Sequence, residues 1–72
     1  MGTINVGKRF GKRLKALRAE RGWSQEEFAD RAGLHRTYVS AVERAVRNPT
    51  LPILAKMAKG FGMSLVELME SV

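Results

Sequence analysis

Between Ser24 and Pro49 the chain reads SQEEFADRAGLHRTYVSAVERAVRNP, and this stretch leaves room for little except two short helices joined by a tight turn. Ser24 followed three residues later by Glu27 is a capping box, a strong helix-start signal. Trp23 and Phe28 flank that cap and suit a hydrophobic staple across it. The first helix then spans about 25–32 with Phe28, Ala29 and Ala32 inward. Gly33 closes it with a left-handed backbone, and Leu34 is the apolar plug of the turn. The second helix spans about 36–44 with Val39 and Val42 inward, until Asn48 and Pro49 break the chain.

Helical periodicity organises the flanks as well. Phe10, Leu14, Leu17 and Arg21 recur on one face, which predicts a helix from about Lys8 to Arg21 ended by Gly22. Gly11 within it costs about 1 kcal/mol relative to Ala and permits close packing. Thr50 caps a fourth helix that tolerates Pro52 in its first turn, with Leu51, Leu54, Met57, Ala58 and Phe61 as its inward stripe. After Gly62, Ser64 and Glu67 form a second capping box for a short helix from Leu65 to about Glu70. Residues 1–7 lack periodicity and carry two glycines, so a loose arm is expected there, followed by one domain over 8–72. No stretch reads as a strand, and the fold class is all-α.

Composition narrows the function. A chain of 72 residues buries a modest core, and with no Cys and one His neither a disulfide nor a zinc finger supplements it. Self-association is the remaining common supplement, so a homodimer is expected. No apolar run approaches the roughly 18 residues needed to cross a membrane, and the N-terminus has no apolar signal core. A cytoplasmic protein is expected. The Met1-Gly2 start invites a myristoylation reading, but Val6 stands where Ser or Thr is preferred. One His, no Cys and no clustered carboxylates give little from which to build an active site, so no enzyme, metal or cofactor is expected. The net charge is +6, and residues 8–21 hold Lys8, Arg9, Lys12, Arg13, Lys15, Arg18 and Arg21 against Glu20 alone. A patch of that sign attracts polyanions, nucleic acid first, although a solvated basic helix also looks like this.

With Val39 and Val42 inward, helical geometry puts Arg36, Thr37, Ser40, Ala41 and Arg44 on the opposite side. Those side chains suit a major groove. Arg bridges guanine O6 and N7, Ser and Thr bond several base edges, and the Ala41 or Thr37 methyl meets a thymine methyl. His35, at the helix start, caps it or joins the contact. Gln25 lies in the first turn of its helix, where helix N-termini meet phosphate. Tyr38, Arg44, Arg47 and Asn48 complete the phosphate candidates. Two capped helices around a Gly turn are the helix-turn-helix arrangement, over about 24–45, which raises this reading above that of an ordinary polar face.

Lys12 to Leu68 resembles the Cro/phage-repressor-like helix-turn-helix family, the xenobiotic-response-element class. The likeness is carried by LKALRAERGWSQEEFADRAG, LHRTYVSAVERAVRNPT and LAKMAKGFGMSLVEL. It implies a compact five-helix lambda-repressor-like DNA-binding domain whose third helix reads double-stranded DNA. By position it makes Gln25 a phosphate clamp and Arg36, Thr37, Ser40 and Ala41 base readers. It also implies an ion pair between Arg18 and Glu43. Two residues depart from the family pattern: Ala45, where Gly is common, and His35, where Ser, Thr or Asp usually caps. The RTYxS…ER…RNPT segment is similar to that of restriction–modification controller proteins. A homodimer on a pseudo-palindromic operator is expected, with a contact with RNA polymerase open to it; Val66 and Met69 cannot all be inward with Leu65 and Leu68, which makes them the candidates for the dimer surface. The alternative is an antitoxin or other protein-binding module that touches DNA secondarily, although only Ser71 and Val72 follow the last helix. If Arg18 and Glu43 pair, Glu43→Ala lowers the melting temperature clearly more than Glu26→Ala; equal small effects in thermal melts contradict the pairing.

Overall fold

The computed structural model describes residues 5–72. They form five helices: α1 (Val6–Arg21), α2 (Gln25–Ala32), α3 (Arg36–Glu43), α4 (Leu51–Phe61) and α5 (Leu65–Leu68). Helix α1 begins two residues before Lys8. The Asn5 side chain accepts a hydrogen bond from the Lys8 N–H at 2.9 Å, so Val6 and Gly7 are helix and not arm. The rest of the expected arm, residues 1–4, lies outside the described residues. Helix α5 ends at Leu68, and Met69 and Glu70 turn away from it.

Each start is set by a side chain except one. Ser24, Thr50 and Ser64 accept from the third N–H of their helices, whereas His35 makes no capping bond. The reciprocal half of the capping box forms only at α5, where the Ser64 N–H donates to Glu67 at 2.8 Å. At α2 the Glu27 carboxylate instead approaches Arg31 at 3.6 Å, so that box is half made.

Four helix ends share one solution. After α1, α2, α3 and α4 a residue with positive φ donates to a carbonyl three residues back, and the following N–H reaches back five. In α2 the pair is Gly33 to Asp30 (3.3 Å) and Leu34 to Ala29 (2.8 Å). Glycine holds that position three times. Ala45 holds it after α3, at φ 62, with its N–H on Val42 and the Val46 N–H on Ala41. A left-handed Ala costs roughly 1–2 kcal/mol in Cβ crowding.

The core collects Phe10, Leu14 and Leu17 from α1, Phe28, Ala29 and Ala32 from α2, Val39 and Val42 from α3, Met57, Ala58 and Phe61 from α4, and Leu68 from α5. Phe28 lies at its centre with no exposure and stacks on Phe61 at 4.2 Å, and Trp23 continues the stack 5.8 Å from Phe61. Leu51, expected inward, is 71% exposed, because α4 meets the core one turn later through Leu54, Met57, Ala58 and Phe61. Gly11 explains how α1 and α3 come so close. A Cβ there would stand 2.6 Å from the Glu43 carbonyl oxygen, so only Gly lets α1 lie on the end of α3.

Two outcomes follow. Ala45→Gly relieves the crowding and loses part of the gain to a freer unfolded chain, for a net stabilisation of about 0.5–1 kcal/mol. Thermal melts should rise by a few degrees, and a fall would contradict the strain. Hydrogen bonds from the Ser64 backbone N–H and side chain hold the Glu67 carboxyl below the usual glutamate range. A depressed folded pKa gives stabilisation that is present above the unfolded value and lost as pH falls through the folded one. A carboxyl NMR titration should place Glu67 below the ordinary glutamate value; a value at or above it contradicts the box.

Candidate nucleic-acid interface

Helix α3 is fixed from beneath. Val39 and Val42 are 0% and 1% exposed, so the opposite side of the helix must face outward. His35, Arg36 and Thr37 are exposed, while Ser40, Ala41 and Tyr38 are half-buried. The reading side therefore stands proud at the N-terminal half of α3 and recedes toward its end. Ser40 is also occupied, its hydroxyl accepting from Arg44 Nε at 3.3 Å. His35, Thr37, Tyr38, Ala41 and Arg47 line a shallow depression beside this face, with the Arg47 guanidinium 5.7 Å from the Tyr38 ring. The His35 imidazole makes no capping bond, and of the first-turn N–H groups of α3 that of Tyr38 donates to the His35 carbonyl at 3.0 Å, which leaves those of Arg36 and Thr37.

Behind α3, three helices meet at one carboxylate. Arg18 donates from Nε to Glu43 Oε2 at 2.7 Å and from Nη2 to Oε1 at 3.0 Å, a bidentate pair. Its remaining arm, Nη1, donates to the Trp23 carbonyl at 2.7 Å. Gln25 Nε2 adds a bond to Glu43 Oε1 at 3.1 Å. The Glu43 side chain is 5% exposed and that of Arg18 14%. The hydrogen bonds to Glu43 raise the Arg18 pKa above its ordinary value; burial opposes the shift and the charge of Glu43 adds to it. The guanidinium stays charged at any working pH. Removing one member of such a pair strands the other, at about 3–5 kcal/mol. Periodicity gives no signal for the contacts of Gln25 and Trp23, since they depend on how α2 crosses α3.

The basic surface differs from the one the sequence suggested, which placed the whole charge excess of the first helix at the service of a ligand. Four of its seven cations have intramolecular partners. Arg9 donates to the Ser71 carbonyl (3.3 Å), Arg13 to those of Leu68 (3.2 Å) and Glu67 (2.7 Å), and Arg21 to that of Phe61 (3.2 Å). These arginines close the carbonyl ends of α4, α5 and the C-terminal turn, as Arg18 closes the loop before α2. Lys8, Lys12 and Lys15 are exposed, and their ammonium groups have no hydrogen-bond or ion-pair partner among the described residues. On the side of α3, Arg36, Arg44 and Arg47 are exposed as well, Arg44 while bonded to Ser40, and Lys56 and Lys59 are exposed on α4. Asn48 turns elsewhere: a Cβ on Gly7 would lie 2.6 Å from Asn48 Oδ1, so that amide rests against the start of α1.

The expected dimer residues separate. Val66 is 82% exposed and Leu65 39%, but Met69 is half-buried and packs on its own core, because Leu68 and Met69 turn inward as α5 ends. Among the described residues no three metal-binding side chains converge, and no helix is long and apolar enough to cross a membrane.

A recognition-type helix held rigidly outward on a basic five-helix scaffold defines a helix-turn-helix regulator of transcription. The chain belongs to the helix-turn-helix family HTH_3, whose model matches residues 14–68. A hypothetical transcription factor from Neisseria meningitidis is 46% identical over 56 residues, 78% of this chain, which spans only 53% of that protein. The restriction-modification controller protein C.AhdI from Aeromonas hydrophila superposes with a TM-score of 0.83 at 42% identity, covering 86% of this chain and 94% of its own. The biofilm master regulator SinR, solved in complex with DNA, gives a TM-score of 0.77 at 34% identity, over 85% of this chain and 98% of that one.

Proposed function

We propose that this chain is a cytoplasmic, homodimeric, sequence-specific regulator that reads a pseudo-palindromic operator and controls a restriction–modification system. The observation that carries the reading is the division of α3. Val39 and Val42 are locked in the core, and His35, Arg36 and Thr37 project from the other side with no internal partner among the described residues. The controller assignment is supported by the likeness to C.AhdI along nearly its whole length.

In this reading Arg36 and Thr37 contact base edges, with His35 beside them and Ser40 and Ala41 on the receding part of the same face. A bidentate Arg–guanine contact discriminates by about 1–3 kcal/mol. Ser40, shared with Arg44, contributes less than its position alone suggests. Gln25, Tyr38, Arg44 and Arg47 meet phosphates. Lys8, Lys12 and Lys15 add affinity that is independent of sequence and sensitive to salt, each phosphate neutralised contributing about −0.9 to the log–log salt slope. Exposed Leu65 and Val66 on α5 provide apolar surface for a second copy, which would place two reading helices about 34 Å apart on one side of the duplex. In this reading the DNA-bound dimer is open to a contact with RNA polymerase, and no catalytic step is assigned to the chain.

Arg36→Ala should cost about 1–3 kcal/mol at the preferred operator and relax the preference at one base pair, whereas Lys8→Ala should weaken all duplexes alike and lower the salt slope by about one. Electrophoretic titrations over operator variants and salt separate the two. Unchanged affinity and preference in Arg36→Ala would remove α3 as the reader.

A further inference from the structure

The Gln25 side chain does not hang in solvent as a first-turn glutamine ordinarily does. Its Nε2 donates to Glu43 Oε1 at 3.1 Å, the same oxygen that receives Arg18 Nη2 at 3.0 Å. A carboxylate only accepts, so this contact fixes which end of the amide points inward. One Nε2 hydrogen is used. The second, together with the Gln25 backbone N–H in the first turn of α2, remains for an acceptor outside the protein. Ordering a free glutamine costs rotamer entropy, and a side chain already ordered does not incur that cost again on binding.

Charge makes the arrangement workable. A bare carboxylate beside the start of α2 would repel a phosphate arriving there. Arg18 neutralises Glu43 through two hydrogen bonds, and its third anchors the Trp23 carbonyl two residues before Gln25. The same guanidinium therefore sets the chain leading into α2 and the carboxylate that orients the amide.

We propose that Glu43 is a positioning residue for DNA binding: it holds the Gln25 amide ready for a backbone phosphate, with Arg18 cancelling its charge, in addition to joining α1 to α3. This rests on the preceding reading of Gln25 as a phosphate contact. If it holds, Glu43 contributes to affinity through Gln25 and leaves base preference untouched.

A double-mutant cycle in the full chain, on the operator chosen by the wild-type protein, tests this. Gln25→Ala and Glu43→Gln are measured singly and together, at a temperature where melts show each protein fully folded. Glu43→Gln alone should weaken binding by about tenfold, the scale of one charge-assisted hydrogen bond. In the Gln25→Ala background the same change should cost less than about twofold. Base preference should not move in any variant. Equal factors in both backgrounds, or no effect of Glu43→Gln, overturn the proposal. A wild-type protein that selects no duplex overturns it together with the DNA-binding reading, whereas a selected operator with an additive cycle overturns the proposal alone. If Glu43→Gln does not fold, NMR of the free wild-type protein decides. Gln25 should show one side-chain rotamer and slowly exchanging amide hydrogens, and averaged couplings with the signals of free glutamine overturn it.

Discussion

Arg18 satisfies three acceptors at once, and the placement of the recognition-type helix depends on it. Helix α3 is only eight residues long and starts without a side-chain cap. A helix of that length is marginal alone, so its position comes from packing and from tethers. Val39 and Val42 provide the packing. Glu43, at the last turn, provides the tether through Arg18. Gly11 belongs to the same constraint, since the absence of a side chain there brings α1 within reach of the Glu43 carbonyl. Burying the pair need not add net stability. What it adds is register: α1, the start of α2 and the end of α3 cannot slide past one another without breaking charge-assisted bonds.

The same economy of scale explains the arginines of α1. In a small domain the last helix is four residues long, and backbone N–H groups close only part of its carbonyl end. Arg13 closes it with two bonds, and Arg9 closes the turn beyond. Side chains that the sequence offers as a cationic patch are thus taken up in holding the C-terminal third onto α1. The lysines of that helix have no such partner. The planar fork of arginine suits paired carbonyl and carboxylate acceptors, while lysine remains a hydrated point charge. The division of labour on α1 follows from that chemistry.

Most of the fold was legible because it is written in local signals. Ser24, Thr50 and Ser64 start helices, Gly22, Gly33 and Gly62 end them, and the apolar spacing names the core. Leu51 misled because it fits the stripe yet precedes the turn where α4 meets its neighbours. Asn5 was missed as a cap because two glycines suggested a loose arm. At the candidate interface, the outward set on α3 follows from periodicity once Val39 and Val42 are assigned. The pairing of Arg18 with Glu43 came from family resemblance. The bonds of Gln25, Ser40 and Arg13 had no sequence signal, because each depends on how helices cross or on which rotamer a neighbour adopts. Ala45 was visible as an oddity, and its left-handed backbone shows that the α3–α4 turn keeps its shape at the expense of strain.

The central claim is that rigidly held α3 helices, paired across a twofold axis, read two half-sites on one side of a duplex. Selection from random duplexes followed by hydroxyl-radical footprinting tests it most directly. The account predicts an enriched, symmetric, bipartite sequence with protected patches about one helical turn, roughly 34 Å, apart. A single unpaired half-site would contradict the dimer, and binding without any enriched sequence would contradict the assignment of α3 as the reader.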